Sequence, residues 1–177
     1  MNSAASLHAA IHEEVALQAY DASWPARFGA ERERLLTLLP GRFIAIEHMG
    51  STAVPGLVAK PVIDLLAGVV SMEEARALAG PLCAAGYTTS AEFNAALTDR
   101  QWFMRWADGH RTHHLHIVVH GSPVWHQRLR FRDALRASPE LATRYAALKA
   151  ELASKHPSDR EAYTEAKAAF VISVSGS

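Results

Sequence analysis

The residue types able to do chemistry gather in two short stretches. Gly50-Ser51-Thr52, Lys60 and Asp64 fall within 15 residues of chain. Gly50 allows a sharp turn and the close approach of a ligand. Ser51 and Thr52 add hydroxyls and amide N–H groups, and a helical turn opening there would make a ready anion site. Lys60 is a point charge suited to phosphate. Asp64 is the only charge in the apolar run Val62-Ile63-Asp64-Leu65-Leu66, and a carboxylate drawn into such a strand needs a partner or a metal ion.

The second stretch holds five of the ten histidines, between positions 110 and 120. Strand alternation across 113–120 sets Leu115, Ile117 and Val119 on one face and His114, His116, Val118 and His120 on the other. His114 and His116 can then hold one metal ion or one anion together. Arg100, Arg105 and Arg111 lie on the approach, either lining an anion pocket or pairing with surface acids. Blander readings stand beside these: a plain turn at 50–52, a solvated Lys60, histidines satisfied by ordinary hydrogen bonds. Two motifs are excluded. A Walker loop needs Gly, four residues, then Gly-Lys, whereas Gly56 is too far from Gly50 and Lys60 does not follow it. A histidine triad would need histidine at Val118.

The elements that must position these groups are read from pattern. Asp21-Ala22-Ser23-Trp24-Pro25 starts a helix over 24–38, with Trp24, Phe28, Leu35, Leu38 and Leu39 inward and Pro40-Gly41 at its end. Residues 11–16 extend a short helix, or 15–20 form a strand. Strands follow at 43–48, with Glu47 facing away from His48, and at 61–70, the latter apolar enough for burial on both faces. Ser71 with Glu74 caps a helix to about 85, closed by Gly86. Further strands are expected at 87–90, 101–106 and 113–120, with a hairpin turn at Asp108-Gly109. Ser122-Pro123, Ser138-Pro139 and Ser158-Asp159-Arg160-Glu161 open three helices, the last turning Ala162, Ala166, Ala169, Phe170 and Ile172 inward. The order is β/α first and mostly α last. That predicts an α+β fold with a mixed sheet flanked by helices and a helical C-terminal third.

At 177 residues the chain is read as one domain over 1–177, with 1–10 expected to fray. Its formal net charge of zero argues against a general nucleic-acid binder. One cysteine, Cys83, allows no internal disulfide and fits a small core residue in a reducing cytoplasm. No run approaches a membrane span, and no signal peptide is evident.

Taken together, these residues resemble the GrpB family of the nucleotidyltransferase superfamily. The resemblance runs from Tyr20-Asp21, Trp24-Pro25 and Phe28 through the unbroken stretch 46–57, Lys60-Pro61-Val62-Ile63-Asp64 and Arg111-Thr112-His113-His114-Leu115-His116. It continues over 131–136, Tyr145, Leu148-Lys149, Tyr163 and Lys167. It implies a nucleotidyltransferase-like fold that binds a nucleotide or phosphorylated small molecule. A similar domain occurs fused to dephospho-CoA kinase, though this chain has no Walker loop. The superfamily pattern is Gly-Ser followed by acid-apolar-acid on a strand, with a third acid later, the acids holding two metal ions. Gly50-Ser51 and Asp64 match it; Leu66 stands where the second acid belongs, and the His114/His116 segment takes the third position. The resemblance thus makes Asp64 and His116 the candidate catalytic residues. Gly50, Ser51, Thr52, Lys60, Arg111 and Arg132 are the candidate substrate ligands. His48, Asp64, His114 and His116 are the candidate metal ligands, for Zn²⁺ or for Mg²⁺/Mn²⁺, with imidazoles favouring zinc. A non-catalytic nucleotide- or CoA-binding module is the alternative.

Overall fold

The computed structural model describes residues 16–156 and 159–176. Its strands are β1 Ala45–Met49, β2 Ile63–Val69, β3 Tyr87–Thr88, β4 Arg100–Ala107 and β5 His110–Val119. Its helices are α1 Trp24–Leu38, α2 Met72–Ala77, α3 Ala79–Ala84, α4 Ala91–Ala96, α5 Pro123–Ala137, α6 Pro139–Lys155 and α7 Arg160–Ser175. The strands form one sheet in the order β1-β2-β5-β4-β3, parallel only between β2 and β5. The fold is therefore α+β, a mixed sheet flanked by helices, with the last third helical.

Because β2 sits inside the sheet, its apolar run is covered on both faces. Leu65 and Ala67 pack with Trp24 and Leu35 of α1 and with Leu78 and Leu82. On the opposite face Leu66 meets Met49, Val118 and Trp125 of α5. Gly68 permits that second contact. A Cβ there would lie 2.9 Å from His120 and 3.0 Å from Trp125, inside any tolerable approach. Beyond α5, a further cluster of Val54, Leu57, Leu135 and Tyr145 joins α5 and α6 to the loop before β2.

Serine caps do what their positions suggest. The hydroxyls of Ser71, Ser122 and Ser138 accept from the amides of Glu74, Trp125 and Leu141. Asp108 and Gly109 take positive φ and close the β4–β5 hairpin.

Several expectations are corrected. Leu38 faces solvent at 46% exposed, while Glu31 is buried on α1 at 3%, because Arg34, Arg105 and Tyr87 supply it with donors. The helix expected to reach 85 breaks at Leu78. Pro81 has no N–H to give, and its ring would strike the carbonyl of Ala77, where α2 ends. Cys83 is exposed, Leu82 being the residue α3 turns inward. The strand expected over 87–90 stops at Thr88, and Ser90 instead caps α4, a helix the pattern did not reveal. In α7 the inner face is led by Tyr163, with Ala166, Ala169 and Ile172 outward. Asp159 caps α7; Ser158 lies outside the described residues. So do residues 1–15, and what remains of the 15–20 strand is a single bridge between Gln18 and Ala59.

Candidate functional site

Strand register decides which side chains can meet. Asp64 pairs with Met49 across β1 and with His114 across β5; Leu66 pairs with Glu47 and His116. Residues directly opposed share a face, so Asp64, Glu47, His114 and His116 all look towards α5. His48 pairs with Leu65 and looks the other way. It stacks on Phe28, ring centres 4.7 Å apart and planes 5° from parallel.

The Gly50-Ser51-Thr52 turn is drawn tightly onto Asp64. Gly50 has φ 72°, and a Cβ added there would come within 2.6 Å of Asp64 Oδ2. Glycine is required on both counts. A short 3-10 turn, Ser51–Ala53, follows. Thr52 is buried, its hydroxyl 3.0 Å from His48 Nε2, while Ser51 lies beside Tyr145 of α6. Burial, working against the nearby Asp64 charge, brings the His48 imidazole down to about 4, helped by Arg136 and Arg132. His48 therefore fixes the turn as a neutral ring.

At the centre, Asp64 keeps a quarter of its side chain exposed. Its Oδ1 lies 3.2 Å from His114 Nδ1, and His114 Nε2 lies 3.3 Å from Arg111 Nη1. A guanidinium can only donate. His114 Nε2 is therefore the acceptor, and the ring proton sits on Nδ1, which donates to Asp64. Burial pushes the Asp64 carboxyl upward, but the His114 hydrogen bond with His114, His116 and Lys60 nearby outweighs it, holding the group below the usual carboxylate range. Burial lowers His114 from its ordinary value against the pull of Asp64, and Arg111 and Lys60 lower it further. The pair is a carboxylate and a neutral imidazole.

His116 lies one step inward, opposite Trp102. Its Nδ1 is shielded from solvent with no hydrogen-bond partner, as is Nε of Arg128 on α5. Burial and the Arg128 charge hold His116 well below its ordinary value. His114, not His116, is the imidazole that touches Asp64.

The remaining candidates divide. Lys60 belongs to the Asp64 centre, its charge acting on the carboxylate and its Nζ 4.8 Å from the Tyr163 ring centre. Arg132 is engaged elsewhere, since Nη1 donates to Glu47 Oε2 at 2.8 Å and to the His48 carbonyl at 3.0 Å, tying α5 to β1. Arg105 sits on the other face with Glu31. The four residues read as metal ligands do not converge. His48 is on the wrong face, Leu66 is a fully buried apolar residue, and among the described residues no three His, Cys, Asp or Glu side chains gather as a metal site. The donor set does not fit the two-metal arrangement of the superfamily.

Sequence reasoning gave no role to Tyr145, Lys149 and Arg128, or to Tyr163 and Lys167. The readable signal was Lys149 on the otherwise apolar stripe of Tyr145, Leu148 and Leu152. Concavity alone points elsewhere. A hollow of about 280 Å³ lies between α5 and the 54–55 loop, lined by Val54, Pro55, Leu135, Arg136, Pro139 and Ala142. It gathers few polar groups, so the Asp64 centre is the better candidate.

A five-stranded mixed sheet that lays a Gly-Ser-Thr turn on a strand carboxylate defines a class of α+β domain. The family described as GrpB protein matches residues 14–176, and the chain belongs to the GrpB family. It is similar to the UPF0157 protein YqkA of Bacillus subtilis, 39% identical over 148 residues. That match takes in 84% of this chain but only 42% of YqkA. It is also similar to the conserved protein GrpB from Enterococcus faecalis, whose crystal structure aligns with a TM-score of 0.80 at 34% identity, covering 90% of this chain and 94% of that one. A protein named dephospho-CoA kinase from Mycolicibacterium paratuberculosis is 32% identical over 169 residues, 83% of this chain and 42% of its own length. Among the described residues no helix is long and apolar enough to cross a membrane.

Proposed function

We propose that the chain binds a nucleotide or phosphorylated small molecule at the Asp64 end of the sheet and acts there as a divergent nucleotidyltransferase-like transferase. The observation that carries this reading is Asp64 itself, an ionised carboxylate reachable by solvent, hydrogen-bonded to His114 and flanked by Lys60. Cations grouped around a solvent-reachable centre suit a phosphate group. Ser51, at the head of the turn, and Lys60 hold the phosphoryl oxygens, Thr52 being buried on His48. Arg111, now on His114 Nε2, swings to the phosphate and uncovers that nitrogen. His114 Nε2 then accepts the proton of an acceptor hydroxyl as the hydroxyl oxygen attacks the α-phosphorus of a nucleoside triphosphate, the bond to the bridging oxygen breaks and pyrophosphate leaves. Asp64 keeps the ring oriented and stabilises the imidazolium. No step is assigned to a metal ion, because the donor set does not fit one.

A second reading, a binding module without chemistry, is favoured by Leu66, buried in an apolar cluster where the superfamily pattern has its second acid. The relative named dephospho-CoA kinase makes CoA species worth including as ligands for either reading. The test is isothermal titration with nucleotides and CoA species, with and without divalent ions, followed by mass spectrometry of the mixtures. Binding with a transferred nucleotidyl group supports the transferase. Binding with ligand recovered unchanged supports the module. No binding under any condition defeats both.

A further inference from the structure

Helix α5 carries Arg128, Arg130, Arg132 and Arg136. Three of them give Nε to an oxygen: Arg130 to the Ser175 carbonyl, Arg132 to Asp133 and Arg136 to the Ala53 carbonyl. Arg128 is the exception among the described residues. Its Nε is shielded from solvent with no hydrogen-bond partner. Asp99, whose charge acts on it, is paired with Arg100 instead. The helix seats on the sheet through Trp125, which packs with Leu66 and Val118, and Leu129 lies against the same cluster. Arg128 follows Trp125 by three residues and precedes Leu129, so it shares that sheet-facing side. Below it lies His116, which feels the Arg128 charge more than any other. His116 Nδ1 is likewise shielded and unpartnered. Trp102 walls the place, directly opposite His116 and with its ring centre 5.7 Å from that of His114. Burial and the Arg100 charge work against the Arg128 guanidinium, with Asp64 and Asp99 in its favour. A buried donor left unpaired is costly, more so on a charged group. Two such nitrogens on facing elements call for one shared acceptor.

We infer that Arg128 and His116 hold the carboxylate of the acceptor, so that the acceptor is a short hydroxy acid. The inference rests on the transferase reading above and names the acceptor class that reading leaves open. A guanidinium fork matches the two coplanar oxygens of a carboxylate, and an imidazole N–H at Nδ1 completes the set. A phosphate dianion would bring a third oxygen and a second charge, and the next cation along β4, Arg100, is already held by Asp99. His114 stands two residues before His116 on the same face, about 7 Å away along the strand. A hydroxyl on His114 Nε2 and a carboxylate on Arg128 are then joined by only two or three carbons, lying against Trp102. The carboxylate is a handle and takes no part in the transfer.

Glycerate, with glycerol as its uncharged counterpart, tests this by calorimetry and by NMR of the histidine ring nitrogens. Wild type is expected to bind glycerate about ten-fold more tightly than glycerol, a gap near 1.4 kcal/mol, with the His116 Nδ1 resonance moving. Arg128→Gln should cut that preference to about two-fold or less, and Arg128→Lys, a point charge in place of a fork, to about three-fold. Both should melt like wild type without ligand, and His116→Gln, a second variant, should weaken glycerate in the same direction. A nucleoside triphosphate is titrated into wild type alongside. Nucleotide binding with no preference for glycerate, or a preference that survives in Arg128→Gln, overturns the carboxylate site and leaves the phosphate reading standing. Orthophosphate moving the His116 ring as far as glycerate does overturns the choice of a carboxylate. A glycerate preference lost in Arg128→Gln, with no nucleotide bound by wild type, upholds the carboxylate site and defeats the phosphate reading.

Discussion

Two carboxylates sit on opposite sides of this sheet and live under opposite regimes. Glu31, on α1, is 3% exposed and saturated, bonded to Tyr87 at 2.5 Å, to Arg34 at 3.0 Å and to Arg105. Asp64, on β2, is a quarter exposed and, among the described residues, is hydrogen-bonded to His114 while the Lys60 charge acts on it. A buried acid whose oxygens are all occupied ties elements together; here α1 is tied to β3 and β4. An acid left partly open among positive groups is under-used by the fold and available to a ligand. Burial of an acid does not by itself mark function. The number of its oxygens already claimed is the better guide.

The comparison is broken most directly by exchanging the roles. Glu31→Ala should lower unfolding free energy by about 3 kcal/mol, since it strands two guanidinium groups and a phenol. Asp64→Asn should change stability by less than about 1 kcal/mol while abolishing group transfer, because the His114 imidazolium loses the carboxylate that stabilises it. Denaturant unfolding of both variants gives the answer, and a large loss in Asp64→Asn with a small one in Glu31→Ala would reverse the assignment.

Acid titration sharpens it next. His48 and His113 are each brought from 6.5 to about 4, chiefly by burial. Unfolded, these rings take up protons below pH 6.5; folded, they resist until near 4. Stability should therefore fall as pH drops from 6.5 to 4, by an amount on the order of 3 kcal/mol for a fully buried ring and less for His113. Thermal melts across that range should show the slope, and His48→Asn should flatten part of it. Asp64, held below its ordinary value, adds a further loss only at lower pH.

Gly50→Ala comes third. The new methyl meets Asp64 Oδ2 and the backbone must keep φ near 72°, so a loss of about 1–3 kcal/mol is expected together with weakened ligand binding. The smallest effect should be at Arg132. Arg132→Gln removes bonds to Glu47 and the His48 carbonyl, lowering stability by about 1 kcal/mol, with phosphate affinity unchanged by calorimetry.

Much of the scaffold was legible in the chain. Pro and Ser pairs gave the starts of α5 and α6, the apolar run of β2 gave burial on both faces, and Asp108-Gly109 gave the hairpin. The turn on Asp64 was legible too, because glycine, hydroxyls and a lone acid in an apolar strand are locally odd. What was not legible depended on partners far along the chain. Glu31 reads as a surface acid until β4 delivers Arg105. Arg132 reads as a phosphate ligand until α5 lays it against Glu47. His48 differs from His114 only by which face of a strand it takes, and register alone settles that. Lys149 sits on α6, whose inner face the pattern left unassigned, and Lys167 on α7, whose inner face was misjudged by one position, so the nearness of Lys149 to Asp64 and Lys167 was hidden.

Asp64 is the centre of the candidate site, and Glu31 is its control. Amide and histidine NMR shifts recorded while a nucleoside triphosphate is added test it most directly. Shifts should move at Gly50, Ser51, Thr52, Lys60, Asp64 and the His114 ring nitrogens, and stay still at Glu31, Tyr87 and Arg105. Movement confined to the Glu31 side or to the hollow beside Pro139, with His114 silent at saturating ligand, would contradict it.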